Sequence, residues 1–212
     1  MALKDIKTKI KATERMHKVT RAMEAVSAVK MRKTQASALS GRAYARSAVS
    51  ILSRLSGTRH LTGHPLAEHR GGKRMALIII TSDKGLAGAL NSGVLKRGVE
   101  ALEGRTKEDV VIYAYGKKGE EFFARRGYEI RRAFENKRDD VPLALMEDLS
   151  AEVTAAFVGH EFDKVTAVYS AFKSTFEQIP TLRRILPLSL GALTEIVEDI
   201  TCLLYTSPSP RD

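Results

Sequence analysis

The sequence contains one cysteine and no tryptophan, and it has no long apolar run. A single cysteine excludes an internal disulfide and a cysteine-based metal cluster, and it is typical of a protein in a reducing compartment. No run approaches the roughly 18 consecutive apolar residues that a membrane-spanning helix needs. The first residues, Met1–Asp5, also lack the apolar core of a secretory signal. We therefore expect a mature N-terminus in the cytoplasm.

The first forty residues contain neither glycine nor proline. The first glycine is Gly41 and the first proline is Pro65. Because these two residues are the strongest helix breakers, their absence predicts one long helix over residues 1–57, roughly 60–80 Å in length. Its apolar residues recur at spacings of three and four, which are typical of a coiled-coil seam. They form two groups with a phase slip between them: Leu3, Ile6 and Ile10, then Met16, Val19, Met23 and Val26.

Positive charge is concentrated on the same segment. The chain has 35 Lys and Arg against 25 Asp and Glu, a formal net charge of +10. Residues 1–57 hold thirteen of the basic residues and three of the acidic ones, so they carry the whole excess. Charge of one sign on a helix indicates an acidic partner. Nucleic acid and the acidic loops of another protein both fit, and composition leaves these two alternatives open.

The pattern changes after a predicted linker at residues 58–73. Short β-branched apolar runs at Met75–Thr81, Val110–Tyr115 and Lys164–Tyr169 predict three buried strands of a parallel sheet. Helices are expected after each of the first two strands, and a third from Pro142 to about Phe157. The fold class is therefore α/β, with a long N-terminal helix followed by a Rossmann-like open α/β domain at residues 74–200. Residues 201–212 show no periodicity and are expected to be an unstructured tail.

Two segments carry residue types that suit a phosphate-binding or a metal-binding site. The glycine-bearing loop Ser82–Gly88 follows a buried strand, where doubly wound sheets often bind phosphate, but it lacks the Walker spacing and the complete dinucleotide fingerprint. A small Rossmann-like nucleotide-binding enzyme therefore remains a third alternative. His60, His64 and His69, with Glu68, could ligate zinc, although linker histidines are more often solvated. No nucleophile elbow or carboxylate dyad is present, so we expect no catalytic residue, no cofactor and no metal.

Four segments resemble one known family. Residues 18–35, KVTRAMEAVSAVKMRKTQ, closely resemble the N-terminal helix of the gamma subunit of F-type ATP synthases. Thr81–Asn91, Tyr115–Gly119 and Gln178–Pro187 agree with the same family in order and spacing. The resemblance spans residues 1 to about 200.

The resemblance implies a fold and a role. In that family the N-terminal helix and a C-terminal helix form an antiparallel coiled coil, the shaft inside a ring of three alpha and three beta subunits. The α/β domain lies at the foot of the shaft, against the epsilon subunit and the membrane c-ring. The subunit is not catalytic: its proton-driven rotation biases each beta subunit between open and closed states. We therefore expect a peripheral protein on the cytoplasmic face of the bacterial inner membrane, touching the membrane only through partners and binding no nucleic acid.

The resemblance also implies which residues meet the alpha–beta ring. By matching position they lie on the basic helix and in the loop after the first strand: Lys18, Arg21, Met23, Lys30, Arg32, Lys33, Asp83, Lys84 and Ala87. Many family members carry cysteine where this chain has Ala87. Family members also continue with the C-terminal helix, where this sequence instead has residues 202–212. The chain is therefore expected to lack half of the shaft and to be unable to couple rotation to synthesis by itself.

Overall fold

A computed structural model describes residues 3–56, 63–136, 141–174, 177–189 and 191. The chain divides into two compact units, Met1–Ala43 and Tyr44–Asp212. The predicted tail at residues 201–212 lies outside the described residues, and the predicted domain boundaries stay predictions.

The N-terminal segment forms one helix, α1, which runs from Leu3 to Ser56. The prediction of a single long helix is confirmed. Asp5 in its first turn and Arg54 in its last turn carry the charges that the helix dipole favours at each end. The hydroxyl groups of its exposed threonines donate to the carbonyl oxygens four residues earlier at about 3 Å, as at Thr8 and Thr34. The side chains of residues 37–46 are not described, so Arg42 and Arg46 of the basic segment stay predictions.

The second unit contains a five-stranded sheet. Its strands are β1 (Met75–Ile80), β2 (Val110–Tyr115), β3 (Glu129–Phe134), β4 (Lys164–Phe172) and β5 (Gln178–Leu186). Its helices are α2 (Leu90–Ala101), α3 (Lys117–Ala124) and α4 (Leu143–Val158). The strand order is β3-β2-β1-β4-β5, with β5 antiparallel to β4 and the other neighbours parallel. The α/β fold class and the three predicted strands are confirmed.

Two strands were not predicted from the sequence. Both lie at the edges of the sheet that the described strands form, and both are only partly buried. The β3 sequence EIRRAF carries charged residues among its apolar ones, and β5 contains Pro180 and two arginines. These residues suit edge strands and hide the apolar signal that identifies central ones.

Two apolar layers cover the faces of the sheet. On one face, Leu77 and Ile79 of β1 pack with residues of α2 and α3, including Val94 and Phe123. On the other face, Tyr113 of β2 packs with residues of α4; these include Leu149, Val153, Ala156 and Phe157. The central strands are buried on both sides, as their continuous apolar runs predict.

Tyr113 connects the core to a charged network on α4. The tyrosine is 1% exposed, and its hydroxyl lies 3.1 Å from Oε1 of Glu152. Arg132 donates to Glu152 at 2.9 Å and to Asp148 at 2.8 Å. Burial is the main reason that the pKa of Tyr113 rises to about 12.

This raised pKa predicts a loss of stability in alkali. Between pH ~10 and ~12 the unfolded chain releases the Tyr113 proton while the folded chain keeps it, so the free energy of unfolding falls as pH rises. Below pH ~10 both states hold the proton, so Tyr113 no longer makes the free energy of unfolding depend on pH. Urea unfolding at pH 8, 10, 11 and 11.5 measures the difference in the free energy of unfolding between the wild type and Tyr113→Phe. We expect this difference to change only above pH ~10. A difference that stays constant over this range would contradict the assignment.

Candidate partner-binding surfaces

The second apolar stripe of α1 is exposed along its length. Met16, Val19, Met23 and Val26 are 68%, 58%, 55% and 56% exposed. The same spacing of four and three continues from Val26 to Lys30 and Lys33. At about 100° per residue, these six positions lie within an arc of about 100°. Lys30 and Lys33 therefore occupy seam positions, and we define the seam by Met16, Val19, Met23, Val26, Lys30 and Lys33.

Three further basic residues lie on another side of α1. Lys18, Arg21 and Arg32 are exposed and cluster about 140° away from the seam around the helix axis. The resemblance implies all five basic residues as ring contacts without dividing them by side. Helix geometry instead divides them into a seam group, Lys30 and Lys33, and a back group, Lys18, Arg21 and Arg32. The helix therefore carries positive charge on two of its sides.

The first apolar stripe of α1 is also rotated away from the seam. Leu3, Ile6 and Ile10 are exposed, and the same spacing continues to Thr13 and His17. This stripe is centred about 150° from the seam around the axis, which is the phase slip seen in the sequence. Exposed apolar residues therefore lie on two sides of one helix.

In the second unit, the loop Ser82–Gly88 leaves the carboxyl end of β1. The side-chain amide of Asn91, in α2, holds the start of this loop. Its Oδ1 accepts the N–H of Ser82 at 3.0 Å, and its Nδ2 donates to Oγ of Ser82 at 2.8 Å. The Ser82 hydroxyl donates in turn to the carbonyl oxygen of Lys84 at 2.6 Å. The backbone on the N-terminal side of the loop is therefore fixed from α2.

The same region also caps the N-terminus of α3. Oδ1 of Asp83 accepts the N–H of Lys117 at 3.0 Å, and Oγ1 of Thr81 accepts the N–H of Gly119 at 2.8 Å. The carbonyl of Ser82 accepts the N–H of Lys118 at 3.2 Å. These are the N–H groups that a helix leaves without internal partners, and a carboxylate suits the positive end of the helix dipole. They are engaged within the protein, which favours a structural turn over a phosphate-binding loop.

The residues predicted in this loop therefore differ in what they offer a partner. Asp83 is half-buried, and its carboxylate holds α3, whereas Lys84 and Ala87 are exposed. Leu86 and Asn91 belong to the segment Thr81–Asn91 that resembles the family, but neither is among the ring contacts that the resemblance implies.

The two linker histidines that the structure describes, His64 and His69, do not form a metal site. Nδ1 of His64 accepts the N–H of Leu66 at 3.2 Å, and Glu68 pairs with Arg70 at 2.7 Å. The hydrogen bond and charge of Arg70 lower the pKa of Glu68. His60 lies outside the described residues. Within the described ranges, no three His, Cys, Asp or Glu residues are placed to hold a metal ion.

Comparison with known proteins identifies the family. A family model described as ATP synthase matches residues 2–207. The ATP synthase gamma chain of Pelotomaculum thermopropionicum is 33% identical over 186 residues, which cover 88% of this chain and 65% of the relative. This chain belongs to the ATP synthase gamma-chain family. The gamma chain of Staphylococcus saprophyticus is 32% identical over 190 residues, covering 89% of this chain and 66% of the relative. The chain thus spans just under two thirds of the length of these relatives.

This gamma-family chain is also similar to a solved structure. It is the central stalk and c-ring of the Tetrahymena thermophila mitochondrial ATP synthase, with a TM-score of 0.48 and 18% sequence identity. The alignment covers 81% of this chain and 90% of the other. Among the helices that the structure describes, none is both long and apolar enough to cross a membrane.

Proposed function

We propose that this chain is the central-stalk rotor subunit of an F-type ATP synthase. In this role it couples proton-driven rotation to conformational change in the catalytic beta subunits during ATP synthesis. The subunit performs no bond chemistry itself. The observation that carries the proposal is the family match over residues 2–207.

The proposed partners follow the same role. The alpha and beta subunits form a ring around α1, and the epsilon subunit and the c-ring contact the chain on the side of the membrane. The protein then lies on the cytoplasmic face of the bacterial inner membrane and reaches the membrane only through these partners. The exposed seam and the basic residues Lys18, Arg21, Lys30, Arg32 and Lys33 support a partner surface that is both apolar and acidic.

The placement of apolar and basic residues on different sides of α1 supports a mechanism by which rotation changes the state of a beta subunit. A rotor changes the state of a beta subunit only if it binds the open and closed forms with different affinities. Each 1.4 kcal/mol of difference changes the ratio of the two forms about tenfold. Because apolar and basic groups lie at different angles around α1, a beta subunit meets a different surface as the helix turns.

The nucleic-acid alternative receives no support from the comparisons, since the relatives described above are gamma chains. The two proposals are separated by titrating the full chain against a bacterial α3β3 ring and against duplex DNA at physiological salt. We expect saturable binding to the ring. An absence of ring binding, together with DNA affinity that falls steeply with added salt, would support the alternative instead.

A further inference from the structure

Leu86 combines an unfavourable backbone conformation with a fully exposed apolar side chain. Its side chain is completely exposed, at 101% of the reference area, and its φ angle is +60°. Few residues other than glycine, asparagine and aspartate adopt this left-handed region, and leucine there carries a backbone penalty. Exposure of the apolar side chain adds a second unfavourable contribution. Such an outlier motivates a search for function.

The conformation of Leu86 is imposed by bonds on both sides of it. Before it, the carbonyl of Lys84 accepts the Ser82 hydroxyl at 2.6 Å and Nδ2 of Asn91 at 3.4 Å. After it, the carbonyl of Ala87 accepts the N–H of Leu90 at 3.2 Å. Asn91 therefore links α2 to the loop at Ser82 and at Lys84. A loop whose backbone is fixed before binding loses little conformational entropy when a partner covers it.

The charges around Leu86 define the partner that would fit. Lys84 and Lys117 are exposed next to the loop, whereas the carboxylate of Asp83 is turned to the N–H of Lys117. The surface therefore presents one apolar side chain beside ammonium groups. Its complement is an apolar socket bordered by carboxylates.

We propose that Leu86 is an anchor of the partner interface, inserting into an apolar socket with a carboxylate rim on the alpha–beta ring, and that Asn91 is its positioning residue. The identity of the ring as the partner rests on the proposed function. Neither residue is among the contacts that the family resemblance implies, so the inference adds an anchor and its support to them.

Leu86→Asn tests the anchor, because asparagine tolerates a positive φ. The melting temperature of the free chain is expected to stay the same or to rise, while the Kd for a bacterial α3β3 ring rises at least about tenfold. This opposite effect on stability and affinity is not expected of a residue with a merely structural role. The matched control is Leu143→Asn, a substitution of another leucine, 72% exposed, outside the loop; its Kd is expected to match that of the wild type.

Asn91→Ala tests the positioning role. We expect faster hydrogen exchange of the loop amides and a Kd about tenfold higher. Ser92→Ala, which removes a hydroxyl that donates to the carbonyl of Ala89 at 3.1 Å, is expected to change neither. In the Leu86→Asn background, Asn91→Ala is expected to change the Kd less than twofold, since Asn91 acts through Leu86.

Two results would overturn the inference. One is a Leu86→Asn chain that binds the ring as tightly as the wild type. The other is an Asn91→Ala effect of equal size in both backgrounds. In either case wild-type binding leaves the proposed function intact, whereas a wild type that does not bind the ring refutes the proposed function itself.

Discussion

Gly116→Ala is expected to destabilise the second unit by at least about 3 kcal/mol, a large part of the stability of an ordinary domain. Gly116 has a φ angle of +97°, and an added Cβ would overlap the carbonyl group of Thr81. That carbonyl is backbone within the packed junction between β1 and α3, so it has little freedom to move. The N–H of Gly116 also donates to the carbonyl of Phe134 at 2.8 Å, which ties this position to β3.

Substitutions at two other glycines distinguish the backbone cost of Gly116→Ala from the cost of its contact with Thr81. Gly104 has a φ angle of +76° with open space around its Cβ position, so Gly104→Ala carries only the backbone cost, about 1–2 kcal/mol. Gly71 has open space and no positive φ, so Gly71→Ala is expected to be nearly neutral. Urea unfolding of all three variants at pH 7 checks this order. A Gly116→Ala loss no larger than that of Gly104→Ala would show that the contact with Thr81 is not rigid.

Charge reversal on the seam is expected to have the largest effect on assembly. Lys30→Glu with Lys33→Glu should raise the Kd for the α3β3 ring about 100-fold, because two ammonium groups at seam positions become carboxylates opposite an acidic partner. Arg21→Glu with Arg32→Glu, on the other side of the helix, should weaken binding less and mainly through a slower association rate. Stopped-flow association and equilibrium titration at two salt concentrations separate these effects.

A control pair removes the effect of net charge alone. Lys96→Glu with Lys107→Glu reverses two exposed lysines of the second unit, and its Kd is expected to change less than threefold at physiological salt. The melting temperature of each variant verifies that folding is unchanged. If the control pair weakens binding as much as the seam pair does, the attraction is a property of total charge and the seam has no special role.

The sequence predicts the parts of the fold that depend on local pattern. The absence of glycine before Gly41 favours a helix in that same segment, and the apolar runs of β1 and β2 favour strands in those same residues. For this reason α1 and the central strands follow from the sequence. The edge strands β3 and β5 do not, because a strand with one unpaired side carries polar residues that resemble a loop. Their pairing is determined by neighbours that are distant in sequence.

The candidate surfaces can be predicted from the sequence only in part. The basic residues of α1 could be found from charge, and their division into two sides follows from the helical repeat once the helix is established. The resemblance implies Lys30, Arg32 and Lys33 together as ring contacts, but residues that are adjacent along the chain do not lie on one face of a helix. The role of Asp83 at the N-terminus of α3 depends on a contact over 34 residues, which no local pattern encodes.

The most direct test of the account is the hydrogen-exchange footprint of the full chain bound to a bacterial α3β3 ring. The account predicts strong protection of amides in α1, and protection of the loop Ser82–Gly88, relative to the free chain. Exchange in the edge strand β3 should not change. A complex in which α1 exchanges as fast as in the free chain, or the absence of any complex, would contradict the claim that this helix is the shaft.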